Sequence, residues 1–108
     1  MAYRANLTID QGTDYSTTVT LTDDNGDALD LSTYTGAAQM RKHFSSSVSY
    51  NFSVSTSNNG VVTLSMNSYV SNTIPAGRYV YDCELTSSTN TISRVVEGIV
   101  TIKPGVTR

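Results

Sequence analysis

The amino-acid sequence predicts an all-β domain, built as a two-sheet sandwich or a small barrel. Three observations point there. The first is the last third of the chain. Gly77-Arg-Tyr-Val-Tyr-Asp-Cys-Glu-Leu85 and Thr91-Ile-Ser-Arg-Val-Val-Glu-Gly-Ile-Val-Thr-Ile102 read as the arms of one long antiparallel hairpin. Tyr79, Tyr81, Cys83 and Leu85 alternate with Arg78, Val80, Asp82 and Glu84, so apolar groups face one way and mostly charge the other. The second is the recurrence of such short alternating runs, each closed by turn residues. The third is composition: thirty-one of the 108 residues are Ser or Thr. A flexible linker can have that content. Here the Thr residues fall inside alternating runs, as between Thr17 and Thr22, which suits the solvent face of strands.

Taken in order, Arg4 to Ile9 is a short first strand with Leu7 and Ile9 on one face. Asp10-Gln-Gly-Thr-Asp14 turns the chain. Tyr15, Thr17, Val19 and Leu21 alternate with Ser16, Thr18, Thr20 and Thr22, a second strand over 14–22. Asn25-Gly26 is a tight-turn signal, because both residues tolerate positive φ. Ala28 to Leu31 is a short extended piece. A third strand over 36–43 carries Ala38 and Met40 on one face, Gln39 and Arg41 on the other. Val48, Tyr50, Phe52 and Val54 predict a strand over 48–54, and Val61 to Met66 returns as its partner. A short connector helix is expected near 67–73, capped by Asn67 or Ser68 and stopped by Pro75-Ala-Gly77. The hairpin strands, 77–86 and 91–103, follow. Gly98 suggests a bulge or bend in the second of them. The predicted inward set is Val19, Leu21, Met40, Phe52, Leu64, Tyr79, Tyr81, Cys83, Leu85, Val96 and Val100.

The whole of 1–108 is read as a single domain with short terminal arms, long enough for one core without disulfide or metal staples. Net charge is −2, and the seven Lys and Arg are spread along the chain. A nucleic-acid binder normally clusters its cations, so no nucleic-acid partner is expected. No apolar run approaches a membrane span, so no membrane partner is expected. The first residues lack the apolar segment of a signal peptide, which predicts synthesis and retention in a cytoplasm.

Candidate chemistry is sparse, and no catalytic, metal or cofactor site is expected. His43 is the one histidine, and no Gly-x-Ser-x-Gly accompanies it. Cys83 lies on the apolar face between Tyr81 and Leu85, the setting of a buried structural thiol. Asp23, Asn25 and Asp27 have the alternating oxygen spacing of a calcium loop. Gly26 precedes the third oxygen instead of following it, and Tyr34 stands where a bidentate Glu belongs. An ordinary turn explains those residues. Tyr79 and Tyr81 can stack on a sugar or a base, yet strand spacing favours the core. Arg78 and Arg94 are placed to pair with Asp82, Glu84 or Glu97 across the hairpin.

Several segments resemble a known family. Asn25 to Arg41 is similar to a "dG.pldLtgyta..qiR" stretch of small virion proteins from tailed bacteriophages. Ile74-Pro-Ala-Gly-Arg-Tyr-Val-Tyr-Asp-Cys-Glu-Leu-Thr86 resembles their "lpaGrYvYDlelt" segment, and Val95 to Arg108 their "llEGtvtvspeVTR" ending. Asp10 to Asp14 is similar to their "i.qGdtf" start. The likeness extends to the immunoglobulin-like N-terminal module of phage baseplate upper proteins.

The resemblance implies an immunoglobulin-like β-sandwich of about seven strands and a non-enzymatic virion protein made in the host cytoplasm. It implies an adaptor or connector in tail, baseplate or neck, present in many copies beside other virion proteins. Because the chain stops after the module, an adhesin role is not expected. The alternatives are a capsid decoration protein, or a carbohydrate-binding module that takes host polysaccharide on exposed tyrosines. The expected interface comprises Tyr3, Arg4, Arg78, Val80, Asp82, Glu84, Val106 and Arg108. Of these, Tyr3-Arg4 and the tail from Pro104 are expected to lie outside the strands, free to order on a neighbour. Exposed strand edges are a second route to a partner.

Overall fold

A computed structural model describes residues 3–23 and 25–106. Its strands are β1 (Tyr3–Arg4), β2 (Leu7–Asp10), β3 (Tyr15–Thr20), β4 (Thr35–Arg41), β5 (Tyr50–Thr56), β6 (Val61–Met66), β7 (Gly77–Thr86) and β8 (Ile92–Lys103). A one-turn helix, α1 (Ser68–Ser71), lies between β6 and β7. The pairing follows one path, β1-β8-β7-β4-β5-β6-β3, with β2 also on β8. Strand β5 serves two neighbours. Its first half pairs with β4, as in Ala38 opposite Phe52, and its second half with β6, as in Val54 opposite Leu64. The sheet curls there. The all-β class therefore stands, as one curled eight-stranded sheet.

The core lies inside the curl, and period two fills it. Along β7 every second residue, Tyr79, Tyr81, Cys83 and Leu85, is buried. Met40, Phe52, Leu64, Val96 and Val100 meet them as the sequence predicts, together with Ile9, Leu31, Val62, Ile74 and Ile102. Leu21 of the predicted set is only half-buried, because β3 ends at Thr20 and the chain turns away there. Phe52 and Tyr81 pack with ring centroids 6.0 Å apart.

Several expectations are corrected. The first strand is broken at Ala5-Asn6 into β1 and β2, and both run parallel to β8. Tyr3-Arg4 is thus no free arm: Tyr3 stands opposite Val96 and Arg4 opposite Glu97. Val48 is 62% exposed and precedes β5, because the chain from Lys42 to Ser49 is a loop closed by His43 and Ser46. Gly98 is not a bulge. It sits in register opposite Tyr81, and a Cβ there would lie 2.1 Å from the Ala5 carbonyl oxygen. Glycine is required because the β1–β2 break passes directly over it. The Ala5 oxygen accepts the Tyr81 hydroxyl at 2.6 Å, and Asn6 Oδ1 accepts the Ile99 N–H at 3.1 Å.

The helix forms for local reasons and is then clamped. Asn67 is its N-cap, accepting the Val70 N–H at 3.0 Å. The β2–β3 loop wraps it. Asp14 Oδ1 accepts the Ser68 N–H at 2.7 Å, and buried Ser71 Oγ donates to the Thr13 carbonyl at 2.7 Å while accepting the Gly12 N–H at 3.1 Å. Gln11 Nε2 reaches the Ile74 carbonyl at 2.8 Å. The two bonds at Ser71 satisfy a hydroxyl that water cannot reach.

Candidate functional site

The outer face of β4, β7 and β8 gathers charged residues of both signs. Alternation sends Arg78, Val80, Asp82 and Glu84 of β7 to this face, and Gln39 and Arg41 of β4 join them. Strand β8 contributes Glu97 by register, opposite Asp82, but needs a device to contribute Arg94. Cys83 is opposite Val96 but Glu84 is opposite Arg94, so Val95 is an extra residue. Without it Arg94, like Val96, would point into the core. A bulge reverses the parity of the strand and re-aims the side chains before it. Arg94 therefore emerges beside Asp82, with Nε 3.2 Å from Oδ2.

Register places one polar row straight across five strands. Asn51 faces Gln39, Gln39 faces Asp82, Asp82 faces Glu97, and Glu97 faces Arg4. Two like charges opposite one another destabilise a sheet, so Asp82 and Glu97 need cations. Arg94 serves Asp82, and Arg4 holds the position next to Glu97. On the other side Gln39 Nε2 donates to Asn51 Oδ1 at 3.0 Å, and Arg41 Nη2 donates to Gln39 Oε1 at 3.1 Å. Arg41 Nη1 fixes the neighbouring loop by donating to the Ser46 carbonyl at 2.6 Å. That loop carries Phe44, 90% exposed, over the edge of the face. Together they enclose an open hollow of about 320 Å³ lined by Gln39, Arg41, Phe44, Asp82, Glu84 and Arg94 among others.

The predicted interface residues are thus partly brought together. Arg4, Arg78, Val80, Asp82 and Glu84 share the outer face. Tyr3 lies on β1 but alternates away from Arg4. Val106 stands apart, beyond the end of β8, where the Gly105 N–H donates to Gln11 Oε1 at 3.3 Å. Arg108 lies outside the described residues. The sequence reading missed Gln39, Arg41, Asn51 and Phe44 as members. Gln39 and Arg41 carried a signal, as the polar face of a predicted strand, but which strand lies beside β7 is not written in either segment.

The other candidates have structural explanations. Cys83 is fully buried, and burial first, then Asp82 and Glu84, pushes its thiol up to about 11. It is a protonated core group facing away from the charged surface. Tyr79 and Tyr81 are buried, with hydroxyls donating to the Pro75 and Ala5 carbonyls, so these two rings cannot stack on a sugar. Asp23 Oδ1 accepts the N–H groups of Asn25 and Asp27 at 2.9 and 3.0 Å, which makes the acidic loop a side-chain-stabilised turn. His43 is exposed at a loop. A second hollow, about 490 Å³, opens between Val48, Tyr50, Pro75 and Tyr79, with Lys42 Nζ 5.0 Å from the Tyr79 ring centroid.

No protein-family model matches the chain, and no curated protein matches it. Among solved structures its fold is similar to part of an internalin-like protein of Listeria monocytogenes, with a TM-score of 0.51 and 13% identity over 94% of this chain and 28% of that one. A family 123 glycoside hydrolase from Clostridium perfringens gives a TM-score of 0.44 and 11% identity, over 97% of this chain and 24% of that one. The chain spans about a quarter of the length of each. At such identities the likeness concerns the fold.

Proposed function

We propose that the protein is a non-enzymatic structural component of a tailed-phage virion, an immunoglobulin-like adaptor module in the tail, baseplate or neck. One observation carries this reading. The segments most similar to phage virion proteins, Ile74 to Thr86 and Val95 to Arg108, supply most of β7 and β8, the strands bearing the charged outer face. Arg78, Asp82, Glu84, Arg94 and Glu97 form a mixed-sign surface on a rigid sheet. Such a surface selects a partner by charge complementarity and contributes specificity more than raw affinity. Phe44 adds an apolar anchor at its edge. The partners are other virion proteins, and the same face would serve a capsid decoration role. Glycan binding has less support, since Tyr79 and Tyr81 are in the core and the exposed Tyr3 and Tyr69 stand on separate elements.

The test is location. Particles are purified, washed in high salt and separated into tails and heads, and the chain is followed by mass spectrometry and by density in the intact particle. Recovery with tails supports the adaptor role, and recovery with empty heads supports decoration. Absence from particles, or binding of a host polysaccharide by the isolated domain, overturns the proposal. Reversing the charges of Asp82 and Glu84 together should block incorporation without unfolding the domain.

A further inference from the structure

The two ends of the strand path differ, and the difference identifies a contact surface. At one end β1 and β2 are two and four residues long, interrupted at Ala5-Asn6, and carry Arg4 and Asp10. Short, broken, charged strands are how sheets blunt an edge. At the other end β3 is six residues long, Tyr15-Ser-Thr-Thr-Val-Thr20, with no charge, no Pro and no bulge. Among the described residues it pairs with β6 on one side only.

Backbone parity fixes which groups are free. Leu21 continues the β3–β6 register, and its N–H donates to the Gly60 carbonyl at 2.7 Å. In an antiparallel ladder, alternate residues bond the same neighbour. Odd-numbered residues of β3 therefore bond β6, and Ser16, Thr18 and Thr20 turn their N–H and C=O groups outward. The Thr22–Ala28 bridge uses Leu21 and Asp23, on the side of β6, and β3 itself ends at Thr20. The free window is 16–20, centred on Thr18.

The geometry points to a second copy of this chain as the occupant, with β3 pairing antiparallel to β3 about a two-fold axis at Thr18. A two-fold normal to the sheet keeps each residue's face, so it must pair even with even. Thr18 then meets Thr18 of the other copy and Ser16 meets Thr20, with about six backbone hydrogen bonds between outward-facing groups. Opposed hydroxyl residues are favourable cross-strand pairs, and a two-fold contact free of charge sets no like charges against each other. On the inner face the same register sets Tyr15 opposite Leu21. Both are half-buried in one copy, and each covers the other's exposed side. The blunted β1–β2 edge stops the contact from propagating, so the product is a closed dimer. This inference does not rest on the virion role.

The test uses the full chain. Sedimentation and light scattering over a concentration series should show a monomer becoming a dimer, while hydrogen exchange slows at the amides of Ser16, Thr18 and Thr20. Because position 18 pairs with itself, Thr18→Lys alone and Thr18→Glu alone should each shift the dimerisation midpoint upward at least tenfold. An equimolar mixture of the two should return to the dimer. Far-UV circular dichroism melts should match wild type for both, since Thr18 is exposed on an edge. A wild type that stays monomeric at every soluble concentration overturns the proposal. So does dimerisation untouched by either variant, which places the contact elsewhere. Failure of the mixture to recover also overturns it.

Discussion

Gly98→Ala tests how the amino-terminal segment is held. A methyl group there would lie 2.1 Å from the Ala5 oxygen and 2.8 Å from the Ala5 carbonyl carbon. Ordinary contact needs more than 3.4 Å, so the backbone at Ala5 must lift by over an ångström. Three hydrogen bonds stand on that position: Ala5 N–H to the Glu97 carbonyl at 3.0 Å, Tyr81 hydroxyl to the Ala5 carbonyl at 2.6 Å, and Ile99 N–H to Asn6 Oδ1 at 3.1 Å. At about 0.5–1.5 kcal/mol each, their loss costs about 2–4 kcal/mol. Removing a glycine from a strand interior returns about 0.5–1 kcal/mol, because glycine loses most backbone freedom on folding. The net expectation is a loss of about 1–3 kcal/mol. If β2 is dragged off as well, Leu7 and Ile9 leave the core at about 1.5–3 kcal/mol each. Urea unfolding gives the total, and hydrogen exchange at Ala5 and Ile99 separates local lifting from loss of β2. A variant within 0.5 kcal/mol of wild type, with both amides still protected, refutes the close-approach account. Gly26→Ala is the contrast. No atom lies within 4 Å of its added Cβ, so only the positive φ of 83° is strained, at roughly 1 kcal/mol.

Cys83→Ser buries a hydroxyl with no assigned partner and should cost about 1–3 kcal/mol, while Cys83→Asp should unfold the domain and Glu84→Gln on the outer face should change stability by under about 0.5 kcal/mol; the reverse order would place the hairpin faces one residue out. Stability should fall at alkaline pH. The Cys83 thiol is raised from 9.0 to about 11 and the Tyr81 hydroxyl from 10.0 to about 12, both chiefly by burial. The folded state keeps protons that the unfolded chain releases, so this stabilisation is complete below pH 9 and lost as pH rises through 11 and 12. Cys83→Ala should flatten the first part of that decline in a melting series, and an unchanged slope counts against it. Ser71→Ala removes the hydroxyl that serves both Thr13 and Gly12, and leaving those groups unpaired should cost about 1–3 kcal/mol in urea unfolding. A neutral result would mean water takes its place.

The hairpin of β7 and β8 is legible in sequence because period two survives over ten residues of β7, Tyr79 to Leu85 inward without a break. The parity of β8 is not legible. Arg94 and Val96 look alike in register, and only the partner strand reveals that Val95 is the extra residue. Val48 misleads for the opposite reason: its alternation with Tyr50 is real, but β5 starts at Tyr50 and the loop before it follows its own hydrogen bonds. Leu31 sits in a segment with too little pattern to read, yet its N–H donates to the Ser57 carbonyl at 3.1 Å and its side chain is buried. The candidate site was half visible. Its β7 residues follow from alternation, whereas Gln39, Arg41 and Asn51 depend on which strands are neighbours, information held in long-range pairing. Ser71 and Gln11 read as ordinary loop residues, because a polar side chain in sequence gives no sign that it will bridge segments far apart.

Parallel pairing of β1 and β2 with β8 also decides how the domain meets a pulling force. Tyr3 lies beside Val96 and Asp10 beside Lys103, so the amino-terminal lead and the exit from β8 leave this ladder at opposite ends. Tension applied through them acts along the strands. The bonds between β2 and β8 are then loaded side by side in shear and must give way together, instead of opening one after another like a zipper. Resistance to such loading is governed by the unfolding barrier and not by equilibrium stability. Gly98, by allowing the chain to cross close at Ala5, keeps β1 and β2 on the same ladder, and so sets how many bonds share the load.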